Sequence, residues 1–140
     1  MADLVYNSFK RDIMDGTLDL STQDIKVMLV TSGYTPNIDT DEFIDDVTNE
    51  VVGTGYTAGG QSLASKTVVV DDTNDRGVFD SANPEWTTAT ITARGAVLYY
   101  DTGTPATSPL IGYWDFGTDQ TSTAGTFTIN INVVGILTLT

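Results

Sequence analysis

The 140-residue chain contains no cysteine and no histidine. Disulfides and thiolate metal sites are therefore excluded. So are the zinc enzymes and nucleophile systems that depend on imidazole, the commonest general base and metal ligand. Carboxylate chemistry and oxygen-ligated metals remain open. Basic residues are also scarce: 6 Lys and Arg stand against 19 Asp and Glu, a net charge of −13. Phosphate contacts need Lys and Arg, so neither nucleic acid nor an anionic membrane surface is expected as a partner. The excess charge keeps a β-rich surface soluble; the sharper alternative is an acidic face that meets a basic partner or cations. No apolar run approaches the roughly 18 residues that span a bilayer. The opening MADLVYNSFKRDIMDG lacks the basic-then-apolar order of a signal peptide. The expectation is a protein made in the cytoplasm and used inside a cell or released by lysis.

What is present is β pattern. The organising stretch runs from Thr87 to Phe116, with two strand-like runs around a Thr/Gly/Pro loop. Ala89, Ile91, Ala93, Val97 and Tyr99 share one parity, and Thr88, Thr90, Thr92 and Arg94 the other. That alternation predicts a half-buried strand. After Gly95, Ala96, Leu98 and Tyr100 make the second face apolar as well. In the following run Gly112, Trp114 and Phe116 share one parity, and Ile111 and Tyr113 the other. Apolar groups on both faces demand cover by a second sheet, a helix or another copy. Leu98, Tyr100, Ile111, Tyr113 and Trp114 are accordingly the candidate subunit or partner interface.

The remaining elements follow from local signals. Asp3 is placed to cap a helix from Leu4 to Met14, with Val5, Phe9 and Ile13 on one face and Asp15-Gly16 as its stop. Residues 1–16 are thus a core-docking helix or an arm for a neighbouring subunit. IKVMLVT, Ile25 to Thr31, is apolar on both parities and predicts a central buried strand. Asp39 and Glu42 have capping-box spacing and predict a short helix of about two turns. Six acids between Asp39 and Glu50 form either a solvated face or a contact for a basic partner. GTGYTAGGQ, Gly53 to Gln61, lacks the Lys-Ser/Thr of a phosphate loop and the Rossmann spacing, so Tyr56 reads as the anchor of a folded-over loop. TVVV ending at Val70 is a strand, DDTNDRG an Asx-rich turn that fails the EF-hand pattern, and Val78-Phe79 a strand paired back. GTDQTSTAG, Gly117 to Gly125, reads as a polar loop. Phe127, Ile129, Ile131, Val133, Leu137 and Leu139 share one parity of a terminal strand, with a kink expected at Gly135.

The whole predicts one domain over residues 1–140: all-β, a β-sandwich or jelly-roll-like antiparallel barrel, with one or two short helices. No catalytic, cofactor-binding or metal-binding residue is singled out, and no cofactor is expected. Asp101, Asp115 and Asp119 lie near the central hairpin, where a glycosidase-like pair is conceivable. Tyr99, Tyr100, Tyr113 and Trp114 are the aromatics that a carbohydrate platform would use.

The ordered segments YNSFKRDIMDG, IKVMLVTSGYTPN, GTGYTAGGQ, ATITARGAVLYYDTG, PLIGYWDFG and GILTL resemble a group of small tailed-bacteriophage virion structural proteins. The resemblance runs from Tyr6 to Leu139 and carries no catalytic signature. It implies a non-enzymatic capsid cement (decoration) protein on the capsid exterior, which binds the major capsid protein and commonly forms a homotrimer. A tail or fibre component that binds a carbohydrate or receptor is the alternative it leaves. The resemblance assigns no role to individual residues.

Overall fold

The computed structural model describes residues 2–140. In chain order the elements are β1 (Leu4–Val5), α1 (Asn7–Asp15), β2 (Ile25–Val30), β3 (Gln61–Ser62), β4 (Thr67–Asp71), β5 (Arg76–Asp80), β6 (Glu85–Tyr100), β7 (Leu110–Thr128) and β8 (Leu137–Leu139). A five-stranded sheet has the order β1-β7-β6-β2-β3 and a three-stranded sheet the order β4-β5-β8. Every strand pair is antiparallel. The protein is thus mostly β with one short α-helix, as the strand patterns predict. No helix is long and apolar enough to cross a membrane among the described residues.

Around β2 and the inner halves of β6 and β7 the large sheet is buried on both sides, because these strands are apolar on both parities. Along β2, Ile25, Val27 and Leu29 join one core cluster, while Met28 and Val30 join a second. Phe9 from α1 and Phe79 and Leu137 from the small sheet belong to the first cluster. Tyr34 and Ile44, from the segment after β2, belong to the second. The cover that the apolar faces demanded therefore comes from the chain itself. Leu98 and Ile111 are fully buried, and Tyr113 and Trp114 nearly so. Only Tyr100 of the five candidate interface residues is half-exposed, and it too packs on the core. This corrects the reason for naming them: their apolarity needs no second copy.

A β-bulge explains why simple parity misplaces part of β6. Register shifts between Ala93 and Gly95, against Gln120 and Asp115 of β7. Before the shift the odd residues Ala89, Ile91 and Ala93 face the first core; after it the even residues Ala96 and Leu98 do. Val97 and Tyr99 turn to the second core instead. Two steps along β6 are matched there by five along β7, and the faces exchange at this odd mismatch. A second shift, between Leu98 and Tyr99, has the same effect on β7, so Ile111 sides with Trp114 rather than with Tyr113.

Four further expectations are revised. The N-terminal helix begins at Asn7, because Leu4 and Val5 pair with Tyr113 and Gly112 as β1. Asp3 caps nothing there; its carboxylate accepts the Asp115 N–H at 2.7 Å. The acidic segment forms one 3₁₀ turn, Ile44–Asp46, instead of a two-turn helix, and the Asp46 carboxylate accepts the N–H groups of Glu42 and Phe43. GTDQTSTAG is strand, not loop: Gln120, Thr121 and Ser122 pair with Ala93, Thr92 and Ile91. Finally, the terminal stretch leaves the large sheet after Thr128 and joins β5 as β8. Phe127, Ile129 and Leu137 are buried, but Ile131 is only partly covered and Val133 and Leu139 are exposed. Ile136, of the opposite parity, is fully buried. The kink does fall at Gly135 (φ 98°), where an added Cβ would lie 2.9 Å from the Phe79 carbonyl oxygen.

Candidate functional site

Two concave regions meet at a ridge formed by Asp3 and Asp115. The larger, about 560 Å³, lies along the outer half of β7, with Phe116 and Phe127 beneath a rim of Gln120, Asn130 and Asn132. The smaller, about 390 Å³, lies between Ser32, Pro36, Arg94 and Tyr113. Asp3 and Asp115 line both. Two acids thus converge in a concave site, as a glycosidase-like pair requires. That chemistry needs one carboxyl held protonated, and Asp115 is not suited to be that one. The Gly117 N–H, at 2.8 Å, and the Arg94 guanidinium hold the Asp115 carboxyl below the usual carboxylate range. Asp101 lines neither groove; it forms an ion pair with Lys26 at 2.7 Å, and its carboxyl is likewise lowered by that contact and the Gly103 N–H. Asp119 lies on the exposed part of β7 and lines neither groove. Among the described residues no group of three or more acids is placed to hold a metal ion.

The acidic segment from Asp39 to Glu50 has work inside the fold that its composition did not reveal. Asp39 accepts from the Asn7 side-chain amide, and Glu42 pairs with Arg11. Asp41 accepts from the Tyr34 hydroxyl at 2.8 Å and from the Asn37 N–H. Asp46 holds its own turn, and Glu50 accepts from the Tyr56 hydroxyl at 2.8 Å and from the Gly59 N–H. Asp45 alone has no such bond among the described residues. The tyrosines complete the clamp. Tyr6 and Tyr34 share a hydrogen bond at 2.8 Å, and the Tyr99 hydroxyl donates to the Gly59 carbonyl. Burial is the main cause that pushes all four phenols, Tyr6, Tyr34, Tyr56 and Tyr99, well above their ordinary value. Alternating tyrosines and acids were the available signal, visible as SGYTPN, the acidic run and GTGYTAGGQ.

The glycine loop also has a steric reason. Thr54 bridges Thr90 of β6, and a Cβ on Gly53 would lie 2.5 Å from the Thr90 carbonyl oxygen. Its anchor is Tyr56, as expected, which stacks near Trp86 with centroids 6.0 Å apart. Of the aromatics proposed for a carbohydrate platform, Tyr99, Tyr113 and Trp114 are buried and Tyr100 is half-buried. Trp114 still lines the larger groove beside Phe116 and Phe127, whose rings lie 6.2 Å apart, and Tyr113 lines the smaller one with Tyr34. No family model, curated protein or solved structure matches the chain.

Proposed function

We propose that this chain is a non-enzymatic structural protein of a tailed-bacteriophage virion, a cement protein that binds the outside of the major capsid protein shell and stabilises it. The observation that carries this reading is how the acidic groups are used. Asp39, Asp41, Glu42, Asp46, Glu50, Asp101 and Asp115 all hold partners within the fold. A shell clamp needs a rigid body with contact area and no chemistry, and carboxylates engaged in this way rigidify loops. The resemblance of six segments between Tyr6 and Leu139 supports the same reading. Electron cryomicroscopy of the parent virion tests it: density for this chain is expected on the outer capsid surface, bound to the major capsid protein. Density in the tail alone overturns it.

A second reading, a tail or fibre component that binds carbohydrate, is favoured by the groove over Phe116 with its amide rim. Ring faces that stack on sugars and side-chain amides that bond hydroxyls are the usual composition of such sites. Binding of the purified protein on a glycan array supports this reading, and Phe116→Ala should abolish that binding.

A further inference from the structure

The groove along the outer half of β7 sets free hydrogen-bonding groups above an apolar floor. Phe116 and Ile131 are only partly covered, and they form that floor with buried Phe127. Gln120, Asn130 and Asn132 stand exposed on the rim. Their amides are only half used within the chain. Gln120 donates to Thr118, which leaves its Oε1 as a free acceptor among the described residues. Asn130 accepts from the Asn83 amide and Asn132 from the Val134 N–H, each through Oδ1. Both Nδ2 groups therefore remain free donors among the described residues. The space beneath them, about 560 Å³, lies within the range of roughly 300–1,000 Å³ of small-molecule sites. Its charges have one sign. Asp3 and Asp115 stand at the ridge that bounds it, and no Lys or Arg lines it. Arg94, the partner of Asp115, lines the smaller groove instead.

Resting on the carbohydrate reading of this groove, we propose that it takes short neutral oligosaccharides and rejects acidic ones, whether the chain stands on the capsid or in the tail. A sugar hydroxyl donates and accepts at once, so it answers the mixed set of free amide groups, while the C–H face of the sugar ring lies on Phe116. Carboxylate, sulfate and phosphate substituents meet no cation here and are repelled by the two carboxylates. A purely apolar partner would bury the rim amides unpaired, which costs free energy.

Trp114 lines the groove and is one of only two tryptophans, so its fluorescence reports binding. The probes are the trisaccharides of glucose, galactose and mannose, each against the trisaccharide of its uronic acid in the same linkage. At low salt a neutral probe should bind roughly tenfold or more tightly than its acidic counterpart, and added salt should narrow the gap. Asp3→Asn should narrow it too. Phe116→Ala removes the ring. Asn132→Asp, on the exposed rim, removes a free donor but keeps the acceptor for Val134. Each of these two should weaken neutral binding roughly tenfold or more, with the far-UV circular dichroism of Asn132→Asp unchanged. An acidic probe that binds as well as its neutral counterpart overturns the proposal and leaves the carbohydrate reading standing. So does sugar binding that both substitutions leave intact. No binding of any probe up to about 10 mM overturns both. Self-association that Phe116→Ala abolishes, with no sugar bound, also overturns both, since a second copy then fills the groove.

Discussion

The two halves of the β6–β7 hairpin are one covalent unit in two environments. In the inner half, residues 95–100 of β6 pair with β2 on one side and β7 on the other, and Tyr113 and Gly112 of β7 pair with β1. In the outer half, residues 85–93 pair with β7 alone, apart from the single bridge from Thr90 to Thr54. The inner half is buried on both faces; the outer half alternates Ala89, Ile91 and Ala93 inside with Thr88, Thr90 and Thr92 outside. Both halves are rich in strand-forming residues. Neighbouring strands and covering loops, not propensity, separate a core element from a wet ribbon.

The largest expected effect is alkaline and falls on the covered half, where Tyr6, Tyr34 and Tyr99 line the second core. Each folded-state phenol is raised by burial above the ordinary value near 10. A raised group contributes stability fully below its unfolded pKa and loses it as pH climbs toward the folded one. Urea midpoints should therefore hold up to about pH 10 and fall steadily above it. Tyrosinate absorbance should appear together with unfolding. Phenols that titrate at the ordinary value in an intact fold would break the comparison, because the inner half would then be open to water.

Next in size are truncations on the first core. Leu98→Ala in the inner half and Ile91→Ala in the outer half remove buried side chains, at roughly 2–5 kcal/mol each. Leu98 should cost more, because both strand neighbours and both faces confine the cavity, whereas the ribbon around Ile91 has a free face that can settle inward. Urea denaturation compares them, and equal losses mean that the halves are equally consolidated. At the junction, Gly95→Ala should cost roughly 1–3 kcal/mol. Its Cβ would lie 2.4 Å from the Tyr113 hydroxyl oxygen and 2.6 Å from the Trp114 carbonyl. A neutral result would show that the bulge relaxes freely.

The outer half was the more legible in sequence, since alternation is visible wherever one face is wet. Ala89, Ile91 and Ala93 were assigned to the buried face on that basis, and they lie there. The bulge after Ala93 was not legible: a register irregularity leaves no trace in composition, and every assignment beyond it changes face. GTDQTSTAG failed for another reason, because a two-stranded ribbon exposed to water has the same Thr, Ser and Gly content as a loop. The terminal stretch shows the limit of parity itself. Val133 keeps the period but is fully exposed, because the chain has already left the sheet that gave the period meaning. At the concave site, the Asp3–Asp115 contact joins residues 112 positions apart, and only the pairing of β1 with β7 brings them together.

The smallest effect tests what holds the ribbon. Thr92 and Thr121 stand opposite each other in register, and their hydroxyl oxygens share a hydrogen bond at 3.0 Å on the exposed face. Water competes for both hydroxyls there, so the bond exchanges one partner for another at little net gain. Thr92→Ala and Thr121→Ala should each cost under about 1 kcal/mol. Their coupling in a double-mutant cycle should be about 0.2–1 kcal/mol. The cycle separates the two sources of cohesion, since the backbone ladder is common to all four proteins and cancels. A coupling near zero would mean that the ladder alone carries the ribbon and the threonines merely tolerate strand geometry. A coupling well above 1 kcal/mol would mean that the hydroxyls are shielded from water, which a free two-stranded ribbon cannot do. In that case a second molecule covers this face, and the contrast between the halves belongs to the isolated chain and not to its assembled state.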